Sequence, residues 1–336
     1  MKIGNINTSK KIFIIAEIGN NHEGNFELAQ KMIEQAAAAG VDAVKFQTFI
    51  PEHISSGDQA RLERLRGFKF SHDQFTKLSI IAKKMGLIFF STPFDIESAK
   101  FLNTIQPVFK IASGDNNFYP LIDTVASFGK PIIVSTGSAN LDLIQKVYEL
   151  IIKTSKNKGL NPSLAFLHCV SSYPVPDNEA NLASIIYLKK LFSNLVIGYS
   201  DHTLGIEAAV LSAIAGARII EKHFTLDKNY SDFRDHHLSA NPNEMRLLVE
   251  RVRKAESMLG IEEKKPQICE KAMNIVGRRS IAAARDLPVG AKLKWSDFIW
   301  IRPGKGYPPG EENKLIGKKI IRELKIGQII LKSDFV

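Results

Sequence analysis

Three consecutive stretches decide the fold: Ile12-Phe-Ile-Ile-Ala-Glu-Ile18, an amphipathic stretch at 26–39, and Ala43-Val-Lys-Phe-Gln-Thr48. The two flanking runs are short and rich in β-branched and aromatic residues, whereas apolar residues in the middle stretch recur at i, i+3 and i+4, which is typical of an α-helix. Gly40 stands just before the second run, where a helix ending in the left-handed conformation favours glycine. The sequence therefore predicts a strand, a helix and a second strand, the unit from which parallel sheets are built.

The same alternation continues along most of the chain. The predicted strands are 12–18, 43–48, 87–91, 108–112, 131–136, 164–169, 196–199 and 217–222. Eight strand–helix units over about 250 residues predict a (β/α)8 TIM barrel of the α/β class. A doubly wound parallel sheet is the alternative, but the Gly-x-Gly-x-x-Gly pattern that would follow its first strand is not present.

The pattern changes near residue 260 of the 336 residues. The stretch 260–276 is charged and contains Pro266, so we predict a linker there. The remainder, 277–336, has short strand-like runs, Gly and Pro turns and little helical periodicity, which predicts a small β-rich domain. Because so small a domain has a thin core of its own, we expect it to pack against a barrel. The barrel domain itself is predicted at 1–259.

Composition excludes several classes of protein. Hydrophobic residues make up 44% of the chain and charged residues 24%, as in globular proteins. The sequence has no apolar run of the roughly 18 residues that cross a membrane, and the apolar run near the N-terminus is too short for a signal peptide. Two cysteines, Cys169 and Cys269, do not form a disulfide framework. We therefore expect a cytoplasmic protein with no membrane partner.

The net charge of +10 is concentrated in the tail. Residues 261–336 contain 16 Lys and Arg against 9 Asp and Glu, a net charge of +7. Nucleic-acid binding would explain such an excess, but neither zinc-finger spacing nor interleaved basic and aromatic residues accompany it. We expect no nucleic-acid partner and favour an anionic small molecule as the ligand.

Polar residues collect where the predicted strands end, which is where a TIM barrel carries its active site. These residues are Glu17, Gln47, Thr92, Asp115, Ser135, His168, Tyr173, Asp201 and Glu221. A single polar residue at a strand end is usually a helix cap. Their coincidence at all eight strand ends predicts one shared site.

Lys45 and Lys110 each lie inside an apolar strand. A buried lysine must face a polar cavity or pair with an anion. One interpretation is an ion pair across the barrel. The other is a clamp for phosphate or carboxylate, joined by the hydroxyl groups of Thr92, Ser113, Ser135 and Ser200. Two ammonium groups with neutral donors suit a small, highly charged ligand such as phosphoenolpyruvate.

His202 and His223 lie at the ends of neighbouring predicted strands, where two imidazoles can converge on one ion. Two histidines completed by water and carboxylates suit Mn²⁺ or a similar divalent metal. The alternative is that His202 caps a helix and His223 is a core histidine. His236 and His237 lie nearby in the sequence and compete as ligands.

Several motifs together resemble the sialic acid synthase family, which includes N-acetylneuraminate, legionaminate and pseudaminate synthases. The barrel motifs are Ala16-Glu-Ile-Gly-Asn-Asn-His22, Val44-Lys-Phe-Gln-Thr48, Lys110-Ile-Ala-Ser-Gly-Asp115, Gly198-Tyr-Ser-Asp-His-Thr203 and Glu221-Lys-His-Phe224. In the tail, Arg278-Arg-Ser280, the stretch 297–303 and Gly317-Lys318 resemble the antifreeze-like (SAF) domain of the same family. The resemblance covers essentially the whole chain, in order.

The resemblance implies the condensation of phosphoenolpyruvate with an open-chain N-acylaminosugar to give a nine-carbon 2-keto sugar acid and phosphate. It implies a divalent metal, Mn²⁺ in most members, held by His202 and His223. Matching positions place Glu17 and Glu221 beside the reacting groups. The implied phosphoenolpyruvate contacts are Lys45, Thr92, Lys110, Ser113, Ser135 and Ser200, and the implied sugar contacts are Gln47, Asp115, Tyr173 and Asp235.

The resemblance also implies a domain-swapped homodimer. In it, Arg278 of the partner subunit reaches the acyl group of the sugar, with Arg279 as the alternative. The resemblance does not fix which sugar is the substrate, because this chain departs from the family at positions that face the sugar. Asp232-Phe-Arg-Asp-His236 replaces the usual Gly-Pro-Asp-His, Asp115 replaces a Glu, and Glu23 replaces a frequent Asn.

Two other functions remain open at this point. A metal-dependent TIM-barrel hydrolase or lyase acting on a phosphorylated or carboxylated sugar also uses histidines at strand ends. Such an enzyme often carries His-x-His after the first strand, where this chain has only Glu17 and the isolated His22. A glycan-binding or ice-binding protein is the non-catalytic alternative, but ice binding needs a weakly charged face.

Overall fold

The computed structural model describes residues 1–55 and 57–335 and divides into two units, Met1–Gly260 and Ile261–Val336. The strands of the first unit are β1 (Lys2–Ile3), β2 (Ile6–Asn7), β3 (Phe13–Gly19), β4 (Ala43–Thr48), β5 (Ile88–Pro93), β6 (Phe109–Ile111), β7 (Ile132–Ser135), β8 (Leu164–Cys169), β9 (Val196–Asp201) and β10 (Ile219–His223). Its helices are α1 (Phe26–Ala38), α2 (Pro51–Ile54), α3 (Gln59–Phe68), α4 (His72–Lys84), α5 (Ile96–Leu102), α6 (Tyr119–Ser127), α7 (Leu141–Asn157), α8 (Ala183–Leu191), α9 (Glu207–Ile214), α10 (Asp235–Leu238) and α11 (Pro242–Leu259). None of these described helices is long and apolar enough to cross a membrane.

Strands β3 to β10 form one parallel sheet in the order β5-β4-β3-β10-β9-β8-β7-β6. Its edge strands, β5 and β6, pack against each other, so the sheet is a nearly closed barrel. At this seam, Gln106 accepts a hydrogen bond from the backbone N–H of Ser91 at 2.7 Å. All eight predicted strands are present within two residues of the expected bounds, and the predicted TIM barrel is confirmed.

The interior of the barrel follows from the two-residue period of a strand. In β3, Ile14 and Ala16 pack outward in the layer shared with the helices, whereas Phe13 and Ile15 belong to the inner cluster. The next inward position is Glu17, which lines the cavity above that cluster. Most other barrel strands show the same change from apolar to polar along their inner face, so the site lies at their carboxyl ends.

Tight packing fixes the inner layer. A Cβ atom at Gly198 of β9 would lie 2.4 Å from the carbonyl oxygen of Ile219 and 2.5 Å from Leu167 Cδ2. Only glycine fits there. At the opposite, amino end of the barrel, Ile3 of the antiparallel β1–β2 hairpin is fully buried within the same inner cluster. The hairpin therefore plugs that end, a feature that the sequence pattern did not predict.

The second unit contains α12 (Lys271–Val276) and the antiparallel strands β11 (Ser280–Ala283) and β12 (Phe298–Ile301). Its own small core includes Ile281, Leu293 and Phe298. The stretch 260–276, predicted as a linker, carries α12, which has no buried residue.

Candidate active site

A cavity of about 840 Å³ opens at the carboxyl ends of the barrel strands. The predicted site residues that line it are Glu17, Lys45, Gln47, Thr92, Lys110, Ser113, Ser135, Tyr173, Ser200, His202, Glu221, His223 and Asp235. They come from positions that are far apart in the sequence, and the closure of the barrel brings them together.

Two lysines and two carboxylates form the charged floor of this cavity. Lys45 Nζ lies 2.8 Å from Glu17 Oε2 and 3.5 Å from Glu221 Oε2. Lys110 Nζ lies 3.5 Å from Glu221 Oε1. Each of the four side chains is at most 4% exposed. The ion pair across the barrel is therefore present, and both ammonium groups also face the cavity.

The two carboxylates titrate differently. Burial raises the pKa of Glu17 to about 7, a shift that Lys45 opposes and the charge of Glu221 increases. Burial acts in the same direction on Glu221, but the two lysines and a hydrogen bond from Ser200 outweigh it and lower the pKa of Glu221 to about 2. Glu221 thus stays ionised, whereas Glu17 can take up or release a proton near neutral pH.

Hydroxyl groups surround the lysines. Thr92 Oγ1 accepts a hydrogen bond from Lys45 at 3.1 Å, and Ser200 donates to Glu221 at 2.9 Å. Ser135 Oγ is buried and makes no hydrogen bond within the described chain. A Cβ atom at Gly137 would lie 2.6 Å from Ser113 Oγ, so glycine keeps this hydroxyl-lined recess open. Such donors suit the oxygen atoms of an anion.

His202 is held with one ring nitrogen directed at the protein. Its Nδ1 lies 2.8 Å from the carbonyl oxygen of Val170 and donates to it, so Nε2 is the nitrogen left for another ligand. Burial lowers the pKa of His202, but the contacts with Cys169 and Val170 outweigh it and raise the pKa above its usual value. The ring packs against that of Tyr173, with centroids 4.2 Å apart. His202 is not a helix cap, because α9 begins at Glu207 with Ile206 as its N-cap residue.

His223 faces the same cavity from β10. Burial, and then the positive charges of His202 and Lys45, lower the pKa of His223 well below its usual range, so the imidazole is neutral. Its Nδ1 is buried without a hydrogen-bond partner among the described residues, and lies 4.0 Å from Asp235 Oδ2. The two histidine rings have their centroids 5.3 Å apart.

These residues fit a divalent metal. Two imidazole side chains and the neighbouring carboxylate of Asp235 are a donor set that Mn²⁺ accepts, and a bound metal takes the place of the proton on the ligating nitrogen. Within residues 1–55 and 57–335, no three His, Cys, Asp or Glu side chains are close enough to hold a metal without further ligands. The arrangement is therefore an open site, which water or substrate would complete.

Comparison with known proteins identifies the family. The model of the NeuB family matches residues 32–264, and that of the SAF domain matches residues 278–336. The chain belongs to the NeuB family. A pseudaminic acid synthase from Campylobacter jejuni is 37% identical over all of both chains. An N-acetylneuraminate-9-phosphate synthase from Mus musculus is 36% identical, over 96% of this chain and 92% of that one.

A solved structure agrees with these relatives. The crystal structure of an N-acetylneuraminic acid synthetase from Leptospira borgpetersenii, in complex with citrate, is similar to this chain with a TM-score of 0.76 and 35% identity. The match covers 81% of this chain and 94% of that one. The resemblance to the sialic acid synthase family is thereby confirmed.

One residue that the family resemblance assigns to the sugar does not line the cavity. Asp115 ends a 3-10 turn after β6 that brings Asn116 and Asn117, but not the carboxylate, to the cavity wall. Burial raises the pKa of Asp115 to about 6. Arg278 is exposed in the segment that matches the SAF domain, and its contact with the sugar of a partner subunit stays a prediction.

Several other residues line the cavity although the sequence analysis did not predict them. Arg61, Arg64 and Phe68 of α3 line the mouth, and their spacing places them on one helix face. Cys169 lines the cavity where His168 was named, because the inward positions of β8 are the odd-numbered ones. His168 instead bonds to the carbonyl oxygen of Ala180 at 2.9 Å. The two-residue period of the strand would have identified Cys169.

Proposed function

We propose that this chain is a nonulosonic acid synthase that condenses phosphoenolpyruvate with an open-chain N-acylaminosugar. The products are a nine-carbon 2-keto sugar acid and inorganic phosphate. One observation carries the proposal: a buried pair of cavity-facing lysines, Lys45 and Lys110, shares one cavity with two histidines, His202 and His223. The names of the similar synthases support the same class of product.

Phosphoenolpyruvate would bind at the charged floor. Lys45 and Lys110 offer ammonium groups to its phosphate and carboxylate, and Thr92, Ser113, Ser135 and Ser200 offer hydroxyl groups. When Glu17 is protonated, two ammonium groups face only one ionised carboxylate, so the floor carries net positive charge. That charge favours an anionic ligand and holds it in a fixed orientation.

His202 and His223 would hold a divalent metal, which we propose to be Mn²⁺. Such a metal, when bound, supplies Lewis acidity to a carbonyl oxygen. The protein's part is to orient His202 and to keep His223 neutral. Val170 orients His202 through its carbonyl oxygen, and burial lowers the pKa of His223.

The reaction balances with one water molecule. The methylene carbon of phosphoenolpyruvate forms a bond with the aldehyde carbon of the sugar, and the aldehyde oxygen takes up a proton and becomes a hydroxyl group. Water adds at C2 and gives up one proton. The C2–O bond to phosphate then breaks as the C2 ketone forms, and the hydroxyl proton of C2 passes to the phosphate. Glu17 would take the proton that the water gives up, because its pKa of about 7 lets it act as a base near neutral pH. Glu221 stays ionised and stabilises positive charge that develops at C2.

The sugar side of the cavity is lined by Gln47, Tyr173 and Asp235. Gln47 is held by Asn20, whose Nδ2 donates to Gln47 Oε1 at 2.7 Å. Sequence identity to relatives does not indicate which sugar is the substrate. The two relatives named above are nearly equally similar to this chain and are named for different products.

We further propose a domain-swapped homodimer in the cytoplasm. Arg279 donates to the carbonyl oxygen of Trp300 within its own domain, whereas Arg278 makes no hydrogen bond or ion pair among the described residues. Arg278 of the partner subunit is therefore our candidate for the contact with the acyl group. Cys169 and Cys269 are both unpaired, as expected in a reducing compartment.

The deciding experiment mixes the protein with Mn²⁺, phosphoenolpyruvate and a panel of N-acylaminosugars that begins with N-acetylmannosamine. Phosphate release and the 2-keto acid product are both measured. The proposal expects the two to rise in equal amounts with at least one sugar. Phosphate without a new carbon–carbon bond would indicate the hydrolase, and binding without turnover would indicate a glycan-binding protein.

A further inference from the structure

The segment Ser231 to Asp235, after β10, forms one wall of the cavity. Asp232, Phe233, Arg234 and Asp235 all line it. Arg234 lies over the ring of Tyr173 at 4.7 Å, and the ring of Phe233 lies 5.2 Å from that of Phe68. We call residues 231–235 the wall segment. It has no partner in a β-ladder of the barrel, so side-chain contacts must position it.

One carboxylate, in the loop after the neighbouring strand β3, supplies such contacts. Glu23 Oε1 accepts a hydrogen bond from Ser231 Oγ at the start of the wall segment. The same oxygen lies 3.1 Å from His236 Nε2 at its end. His236 is 1% exposed, and its Nδ1 lies 2.7 Å from Thr225 Oγ1. Glu23 therefore holds both ends of the wall segment.

The backbone at Glu23 is a second, independent observation. Glu23 has a φ of +46°, in the left-handed region that glutamate rarely adopts. Asparagine, aspartate and glycine are the residues that favour this conformation. A glutamate held there costs free energy locally, and such strain persists where other interactions of the residue maintain it. The contacts of the Glu23 side chain with Ser231 and His236 are interactions of that kind.

We infer that Glu23 is a positioning residue that sets the sugar-facing wall of the cavity. Holding Ser231 and His236 fixes the residues between them, including Asp235, which lies 4.0 Å from His223. The inference rests on the proposed function, because it assigns the wall to the aminosugar. It predicts that Glu23 governs the KM of the aminosugar and not that of phosphoenolpyruvate, whose proposed contacts lie on the barrel strands.

The test compares Glu23→Ala, Glu23→Gln and the control Glu27→Ala, which changes an exposed glutamate in the first turn of α1. Glu23→Ala is expected to raise the KM of the aminosugar about tenfold, the effect of losing hydrogen bonds to a charged group, and to leave the KM of phosphoenolpyruvate within about twofold. Glu23→Gln keeps an acceptor oxygen and should recover most of the loss. Glu27→Ala should behave as the wild type.

Hydrogen–deuterium exchange separates this inference from the proposed function. Amides in residues 231–236 should exchange faster in Glu23→Ala than in the wild type, whether or not any sugar reacts. Ser231→Ala, which removes one of the two contacts, should show a smaller change of the same sign. Equal exchange in Glu23→Ala and wild type, or a parallel rise of both KM values, would overturn the inference. If none of the sugars in the panel reacts, but residues 231–236 exchange faster in Glu23→Ala, only the proposed function is overturned.

Discussion

Lys222 and Asp201 form an ion pair that is fully shielded from solvent, with Nζ 2.9 Å from Oδ2. The same Nζ donates to the carbonyl oxygen of Thr203 at 2.6 Å. Lys222 directly precedes His223, and its two acceptors belong to the residues on either side of His202. The pair therefore joins the strand ends that carry the two proposed metal ligands, and it fixes the distance between them.

Replacing Lys222 by methionine tests this connection. Lys222→Met leaves Asp201 buried and unpaired, so we expect the free energy of unfolding to fall by about 3–5 kcal/mol and the Mn²⁺ affinity of the folded protein to fall as well. Urea unfolding and the electron paramagnetic resonance signal of free Mn²⁺ measure the two effects. Lys228→Met is the matched control, because its ion pair with Glu244 is about 30% exposed and contributes at most about 1 kcal/mol. Unchanged Mn²⁺ affinity in Lys222→Met would contradict the positioning role.

The proposed metal ligands give a second prediction. His202→Ala and His223→Ala should each abolish Mn²⁺ binding and leave the far-ultraviolet circular dichroism unchanged, since one histidine and the carboxylate of Asp235 are too few protein ligands to hold the ion. His236→Ala should keep the metal, because its ring nitrogens bond to Glu23 and Thr225. Retained Mn²⁺ binding in either of the first two variants would show that the metal, if any, lies elsewhere.

The lysines give a third prediction. Lys45→Met or Lys110→Met should weaken phosphoenolpyruvate binding by about 2–4 kcal/mol, the loss expected when one partner of a buried charge pair is removed. Isothermal titration calorimetry without sugar measures this directly. If both variants bind phosphoenolpyruvate as the wild type does, the lysines serve only as ion-pair partners of Glu17 and Glu221.

Glu17 gives a prediction about pH. Its pKa is raised from 4.5 to about 7 in the folded protein, so the folded state holds a proton that the unfolded state has already released in this range. The group therefore stabilises the fold at low pH, and this stabilisation is lost as pH rises from about 4.5 to 7. Urea titrations at several pH values should show a shallower fall in the free energy of unfolding for Glu17→Gln than for the wild type. Parallel curves would mean that Glu17 is ionised throughout.

Subunit mixing gives a fifth prediction. Lys110→Met and Arg278→Ala should each be inactive alone, and a mixture that exchanges subunits should recover partial activity. A swapped dimer assembles some sites in which both residues are intact. Phosphate release by the mixture is the measurement, with proof that heterodimers form. If heterodimers form and stay inactive, each SAF domain serves its own barrel or none.

Local sequence patterns predicted the barrel well because each strand is a short apolar run with a two-residue period. The same period, with lysine at an inward position, identified Lys45 and Lys110 before any contact was known. The β1–β2 hairpin was missed because strands of two residues carry no period. The contact between Glu23 and His236 was missed because the two residues are 213 positions apart and leave no local pattern.

The site residues also divide into those that a local sequence pattern predicted and those that it did not. Asp115 was assigned to the sugar from the family resemblance, but a 3-10 turn follows β6 and brings Asn116 and Asn117 to the cavity instead. Arg61 and Arg64 were missed because α3 is short and its apolar residues do not form a clear stripe. Most cavity-lining residues of the strands were therefore predicted, with Cys169 of β8 the exception, whereas those on turns and short helices were not.

The seam between β5 and β6 has a consequence for how the barrel opens. The side chain of Gln106, in the loop just before β6, bonds to β5 there, and the two strands are the ends of the sheet order, so local unfolding should begin at this edge of the sheet. Thr92 lies on β5 and Lys110 on β6, one on each side of the seam. A phosphoenolpyruvate molecule bound to both would span the gap and slow the opening. We therefore expect phosphoenolpyruvate, if it binds as proposed, to protect the chain from proteolysis at the seam, so that the supply of this ligand would also set how long the folded barrel persists.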